Sequence, residues 1–262
     1  MIEKTQAIVL RYYPYSNTSR VVSWLTAEQG RITTLIKGSQ RPKSAFIGQY
    51  DLFYTCELVY YTRPRSGVHI ARECGPLKTR DGLRANWKGC AAASYMADLI
   101  SRISPPDAPH AELFGLLEAG LDEVASHPAS AEFLFWFELR LLEQLGLAPR
   151  LQHCLACKKP LAPGERRSRF SYARGGILCP PCSRDATDSL LPIAADILAI
   201  LTSWQRAQNP QAARATRCST RQLAEIENLL GLFLAYHLDT PLPGRPIALD
   251  ILARKPASAN CA

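Results

Sequence analysis

No run of eighteen apolar residues occurs in this chain, and a membrane-spanning helix needs about twenty. A secretory leader is missing as well: Met1-Ile2-Glu3-Lys4 is not followed by an apolar core and a small-residue cleavage site. The expectation is a soluble, cytoplasmic protein. Also lacking are the Gly-x-x-x-x-Gly-Lys loop that cradles nucleotide phosphates and the Gly-x-Ser-x-Gly elbow that presents a nucleophilic serine. Nucleotide hydrolysis and acyl transfer therefore have no sequence support. Five of the nine cysteines, Cys56, Cys74, Cys90, Cys218 and Cys261, show no pairing pattern. They suit reduced thiols in a cytosol, acting as small apolar side chains.

The other four cysteines are patterned. Cys154-Leu-Ala-Cys157 and Cys179-Pro-Pro-Cys182 are separated by twenty-one residues. Two intervening residues let both sulfurs of a pair point at one ion, and a spacer of this length forms a hairpin that brings the pairs together. A redox-active pair would sit between a strand and a helix, but this segment is proline-rich and flanked by Lys158, Lys159, Arg166 and Arg167. The expected cofactor is one structural Zn²⁺ per chain, held by Cys154, Cys157, Cys179 and Cys182. Four protein ligands leave no open position for a water or substrate, which argues against a zinc enzyme. His110-Ala111-Glu112 with Cys179 and Cys182 loosely spells a zinc-deaminase signature. Leu178 precedes Cys179 where that signature has Pro, and Cys154 and Cys157 would have no role.

Charge is distributed unevenly over the 262 residues, whose net is +8. Residues 1–80 carry twelve Lys or Arg against five acids, a net +7, and residues 81–150 carry five against ten, a net −5. Residues 151–190 return to +4, with seven against three. A basic N-terminal region and a basic cysteine module suit an anionic partner, while an acidic middle must serve another purpose.

Five segments rich in Val, Ile, Thr and aromatics, 5–13, 19–26, 31–37, 51–61 and 68–74, are predicted as strands. Five short strands in about seventy residues predict a small barrel. The OB-fold is the commonest such answer, with an SH3-like barrel as the alternative. Beyond Pro76 the periodicity becomes helical over 83–103, 110–124, 130–145, 194–207 and 220–237. The fold class expected is multidomain α and β. It comprises an N-terminal five-stranded OB-fold barrel (1–80), an all-helical domain in two parts (81–150 and 189–240), an inserted Zn(Cys)4 zinc-finger module (151–188) and a tail (241–262).

Arg11, Arg20, Arg31, Lys37, Arg41 and Lys43 are the candidate DNA-binding residues, joined by Arg63 and Arg65 and interleaved with Tyr12, Tyr13, Tyr15, Phe46 and Tyr50. Cations neutralise phosphates whatever the base, and every base offers a face for stacking. Between Lys37 and Lys43, Gly38 permits close backbone approach and Pro42 stiffens the turn. Barrel packing competes with base stacking for the tyrosines. In Phe133 to Leu142 the apolar band is too wide for a two-sided surface helix, so a buried central helix is expected. For Lys158, Lys159, Arg166, Arg167, Arg169 and Arg174 of the cysteine module, extension of the electrostatic track and plain solvated charge are both open.

Tyr15-Ser16-Asn17-Thr18-Ser19, Leu25-Thr26 through Gly30, and Lys37-Gly38 followed by Arg41, Lys43 and Ser44 occur in that order. Tyr95 through Ile100, Glu112 through Leu117, and Phe137-Glu138-Leu139 through Leu145-Gly146 continue it. In that order the chain resembles the RecO family of bacterial DNA-repair recombination mediators. The resemblance implies a non-enzymatic protein that binds single- and double-stranded DNA and anneals complementary strands. It also implies that the protein, with RecR, helps RecA replace the single-stranded-DNA-binding protein at the nucleoid. It further suggests that the helical domain holds the C-terminal tail of the single-stranded-DNA-binding protein, with Arg140 as a candidate contact. The leading alternative from another class is a transcription-associated zinc-ribbon protein that binds duplex.

Overall fold

The structure, a computed structural model, describes residues 1–63, 66–161, 168–184, 186 and 190–254. Arg65, Arg166, Arg167 and Cys261 lie outside the described residues. Among the described residues, no helix is long and apolar enough to cross a membrane.

Five strands close a barrel: β1 (Ile2–Ser16), β2 (Ser19–Thr26), β3 (Gly30–Ile36), β4 (Thr55–Tyr61) and β5 (His69–Lys78). Around the barrel they run β1-β2-β3-β5-β4, and β4 pairs back to β1. All pairs are antiparallel except β3 with β5, where Thr34 faces His69 and Leu35 faces Ile70. This closed Greek-key barrel is the OB-like architecture. Strict alternation along β3 sends Ile32, Thr34 and Ile36 inward. There they meet Ala7, Val9, Val22, Trp24, Cys56, Leu58 and Tyr60. The buried Trp24 indole is satisfied by Thr34 Oγ1 at 2.9 Å, so the core contains a polar group without an orphan donor. Asp51–Tyr54, expected as strand, forms a turn instead. The Asp51 carboxylate accepts from the Leu52 N–H at 2.8 Å, and Phe53 takes a left-handed φ of 67°.

The described residues divide into two compact units, one within 1–129 with 244–251 and the other within 130–243 with 252–254. In the first unit, α1 (Trp87–Ile103) and α2 (Ala111–Ser126) pack together and against β1 and β2. Helix α1 begins at Trp87 rather than near Leu83, because the Asn86 side chain caps it by accepting from the Gly89 N–H. Arg80 ties the barrel to α2 with a side chain only 3% exposed. Its guanidinium reaches Asp122 at 2.6 Å, the Phe53 carbonyl at 2.5 Å and Thr55 Oγ1 at 3.1 Å. Gly30, at φ +70°, allows the β2–β3 turn to lie against Ala108, since a Cβ there would fall 1.8 Å from the Ala108 carbonyl oxygen.

The second unit contains α3 (Ala131–Gln144), which packs on α5 (Ala195–Arg206), α6 (Gln211–Ala215) and α7 (Thr220–Leu238). Phe133, Leu134, Phe135, Trp136, Phe137, Leu139, Leu141 and Leu142 are all buried, so the apolar band of α3 is core. The cysteine module between α3 and α5 consists of β6 (Arg169–Ser171), β7 (Gly176–Leu178), the short helix α4 (Pro180–Arg184) and β8 (Leu190–Pro192). The compact units thus group α1 and α2 with the barrel, rather than in one helical body with α3, α5 and α7. Within the stretch read as a tail, α8 (Gly244–Ala253) forms a helix, with Pro246 tolerated in its first turn.

Candidate metal centre and nucleic-acid interface

The two cysteine pairs close onto one point. In the first, the Lys158 N–H donates to the Cys154 carbonyl at 3.0 Å and Lys158 takes a left-handed φ of 62°. In the second, Ser183 N–H donates to the Cys179 carbonyl at 3.0 Å within the start of α4. The hairpin β6–β7 joins the pairs, and the Leu155 N–H anchors the first knuckle to the Ile177 carbonyl at 2.8 Å. All four Sγ atoms lie within 4.8 Å of one another, and those of Cys157 and Cys179 are 3.8 Å apart. Thiolates about 2.3 Å from a common tetrahedral ion stand ~3.8 Å apart. The cluster therefore fits a metal ion.

Its protonation chemistry agrees with that fit. Burial opposes ionisation of Cys154, but backbone N–H groups of Cys179, Cys157 and Ala156 outweigh it and bring the thiol down to about 6. Cys182, hydrogen-bonded to Cys179 and crowded by the other sulfurs, is pushed up to about 12. Four thiolates so close repel one another, and a divalent cation removes that repulsion.

The candidate DNA-binding residues fall into two groups. Lys37, Arg41 and Lys43 are exposed on the loop that leaves β3. That loop is tied to the β1–β2 hairpin tip by Gly38 N–H to Ser19 Oγ at 3.1 Å and by Gln40 N–H to the Thr18 carbonyl at 3.0 Å. Gly38, at φ +67°, makes the turn, and the Arg41 and Ser44 N–H groups continue it by donating to Gly38 and Arg41 carbonyls. Arg20, on the same hairpin, lies over the Tyr12 ring at 4.5 Å. One end of the barrel thus gathers four of the six cations.

The remaining two point elsewhere. Arg11 donates to Ser101 Oγ at 3.1 Å and Arg31 to the Ser104 carbonyl at 3.0 Å, both at the C-terminal end of α1. The tyrosines separate too. Tyr50 belongs to the core and Tyr12 packs against it, whereas Tyr13 and Tyr15 are 50% and 67% exposed at the hairpin.

Arg140, the candidate partner contact, is largely covered. It pairs with Glu143 one turn along α3 and donates to Gln208 Oε1 at 3.0 Å. Beside it the Trp136 indole donates to the Ala207 carbonyl at 3.1 Å, which fixes the chain after α5 against α3. Two residues not anticipated from the sequence, Arg150 and His237, share a cleft with Lys158 and Arg174. No local pattern announces this, because the residues come from separate elements.

An OB-like barrel with a cationic end, followed by a helical unit bearing a four-cysteine cluster, defines the class. Residues 1–80 match the family model described as "Recombination protein O N terminal", and residues 84–246 match "Recombination protein O C terminal". The chain is 32% identical over 242 residues to the DNA repair protein RecO of Anaeromyxobacter sp. (strain Fw109-5), covering 92% of this chain and 93% of that relative. It is 28% identical over 249 residues to the DNA repair protein RecO of Syntrophus aciditrophicus (strain SB), covering 95% of each. The chain belongs to the RecO family of DNA repair proteins.

Proposed function

We propose that this chain is a non-enzymatic recombination mediator of the cytoplasm and nucleoid. It binds single- and double-stranded DNA, anneals complementary strands, and acts with RecR to help load RecA onto DNA coated by single-stranded-DNA-binding protein. The observation that carries this reading is the cationic barrel end, where Lys37, Arg41 and Lys43 are exposed on a loop hydrogen-bonded to the hairpin that carries Arg20, Tyr13 and Tyr15. OB-folds use the face of strands 2 and 3 and the adjoining loops for oligonucleotides. Phosphates pair with the cations without regard to sequence, and the exposed rings of Tyr13 and Tyr15 offer stacking faces to unpaired bases. Arg11 and Arg31 add to the local positive field while their hydrogen bonds hold α1.

The ion we assign to the cysteine cluster is Zn²⁺, whose tetrahedral preference and affinity for thiolate match four cysteines with no further ligand. Its role is structural: Cys154, Cys157, Cys179 and Cys182 hold the two knuckles against β6 and β7. For the contact with the tail of the single-stranded-DNA-binding protein, we assign Arg140. Its guanidinium retains N–H groups beyond those used by Glu143 and Gln208, and a carboxylate is its natural acceptor.

The test is strand annealing in the absence of ATP, with bare strands and with strands coated by the cognate single-stranded-DNA-binding protein. A mediator accelerates pairing in both cases. Binding to duplex without any annealing activity would instead support a transcription-associated zinc-ribbon protein.

A further inference from the structure

Of the six candidate DNA-binding cations, Arg20 alone rests on an aromatic ring among the described residues. We propose that Tyr12 is a positioning residue for DNA binding, whose ring fixes the Arg20 guanidinium at the barrel end as a preformed contact for a backbone phosphate. The identity of the anion rests on the DNA-binding reading above; the fixing of Arg20 does not.

The register of the first two strands brings the pair together. Arg20 on β2 stands opposite Pro14 of β1, and Tyr12 stands opposite Val22. Alternation puts Tyr12 and Arg20 on one face as diagonal neighbours, and the guanidinium carbon lies 4.5 Å from the ring centroid. That is well inside the ~6 Å reach of a cation–π contact.

The ring is itself braced. Its hydroxyl donates to Asp51 Oδ1 at 3.1 Å, and its edge meets Tyr50, with centroids 6.1 Å apart and planes at 89°. Burial, and then the Asp51 carboxylate, raise the Tyr12 hydroxyl above its ordinary pKa, so it stays a donor. Asp51 is held in turn by the Leu52 N–H at 2.8 Å. Tyr50 is buried and packs on Trp24, with centroids 6.3 Å apart. The turn at Asp51–Tyr54 and the barrel core thus both hold the surface on which Arg20 rests.

Arg20 also keeps its donors. Arg11 and Arg31 each spend one on the end of α1, whereas no side-chain hydrogen bond or ion pair engages Arg20 among the described residues. Its five N–H groups are therefore open to an anion, in the fork that matches phosphate oxygens. Lys37, Arg41 and Lys43 are exposed on their loop, with no ring beneath them among the described residues. Ordering a long side chain on binding costs free energy, and a side chain ordered beforehand avoids that cost.

The experiment measures single-strand affinity of the full-length chain by fluorescence anisotropy at several salt concentrations, with a labelled oligonucleotide. Wild type is compared with Tyr12→Leu, Arg20→Gln and Tyr12→Leu/Arg20→Gln, each shown by circular dichroism to be folded. Tyr12→Leu should lose about three- to tenfold in affinity with an unchanged salt slope, because it removes no charge. Arg20→Gln should lose at least as much and flatten the slope by about 0.7. Adding Tyr12→Leu to Arg20→Gln should change nothing further, since Tyr12 acts only through Arg20. An equal loss from Tyr12→Leu in both backgrounds would make its role purely structural and overturn the proposal, as would wild-type affinity in Tyr12→Leu. Arg20→Lys keeps the charge and leaves the ring untouched. A loss of about threefold or more at unchanged slope in that variant supports the proposal, and wild-type affinity contradicts it. Wild-type affinity in Lys37→Glu/Arg41→Glu/Lys43→Glu would instead refute the loop's part in DNA binding, leaving Tyr12 and Arg20 to be judged on their own cycle.

Discussion

The backbone N–H of Gln40 donates to the carbonyl of Thr18 at 3.0 Å, linking the loop that carries Lys37, Arg41 and Lys43 to the hairpin that carries Arg20. A neighbouring bond, Gly38 N–H to Ser19 Oγ at 3.1 Å, does the same one step earlier. Cations on a tethered loop lose less entropy on meeting a phosphate than cations on a free one. Ser19→Ala removes one tether and no charge. It should weaken single-strand binding roughly two- to tenfold, the equivalent of one hydrogen bond of about 1 kcal/mol, while leaving the salt dependence unchanged. Fluorescence anisotropy at several salt concentrations checks both expectations.

Removal of the metal tests the cysteine cluster. Protein purified without chelators should contain about one Zn per chain by elemental analysis. Cys179→Ser should lower that content and destabilise the second unit, leaving the thermal transition of the barrel unit in place. Full zinc content in Cys154→Ser/Cys179→Ser would contradict the assignment.

Among the described residues Arg80 is the most buried ionic link between barrel and helix, and its loss strands the Phe53 carbonyl, while the Thr55 hydroxyl keeps its bond to Glu118 Oε1 at 3.1 Å. Its partners Asp122 and Glu118 are 41% and 24% exposed, so water recovers part of the lost interaction. Arg80→Met should therefore cost about 2–3 kcal/mol, read as a shift in the urea midpoint. A shift within error of wild type would show that the network contributes no net stability.

Arg140→Ala separates the two proposed surfaces. Annealing of bare strands should be retained, and annealing of strands coated by single-stranded-DNA-binding protein should fall severalfold, because only the second needs the partner contact to raise local concentration. Equal loss of both in a folded protein would mean that Arg140 serves α3 packing through Glu143 and Gln208 rather than a partner.

The barrel strands were legible because β3 alternates strictly and the turn residues Gly30 and Gly38 punctuate it. The cysteine spacing likewise announced the cluster, since two-residue loops leave a pair of thiols few other geometries. Less legible was the fate of Arg11 and Arg31. Their hydrogen bonds to Ser101 and Ser104 span ninety and seventy-three positions of sequence, and nothing local marks them. The Asp51–Tyr54 segment misled for the opposite reason: its aromatics have strand propensity, yet an Asp51 side-chain bond and the left-handed Phe53 fix a turn. The helical partition was hidden as well, because α1 and α2 show the same amphipathic period whether they pack on helices or on a barrel.

The central claim is that the barrel end holds DNA by its phosphates, and the salt dependence of binding tests it most directly. Single-strand affinity of the wild type and of Lys37→Glu/Arg41→Glu/Lys43→Glu is measured from low to moderate salt, with two unrelated oligonucleotide sequences. The account predicts that the triple variant loses affinity alike for both sequences and that the slope of log K against log salt flattens by about 2 units, roughly 0.7 per lost contact. Wild-type affinity and slope in the triple variant would contradict it.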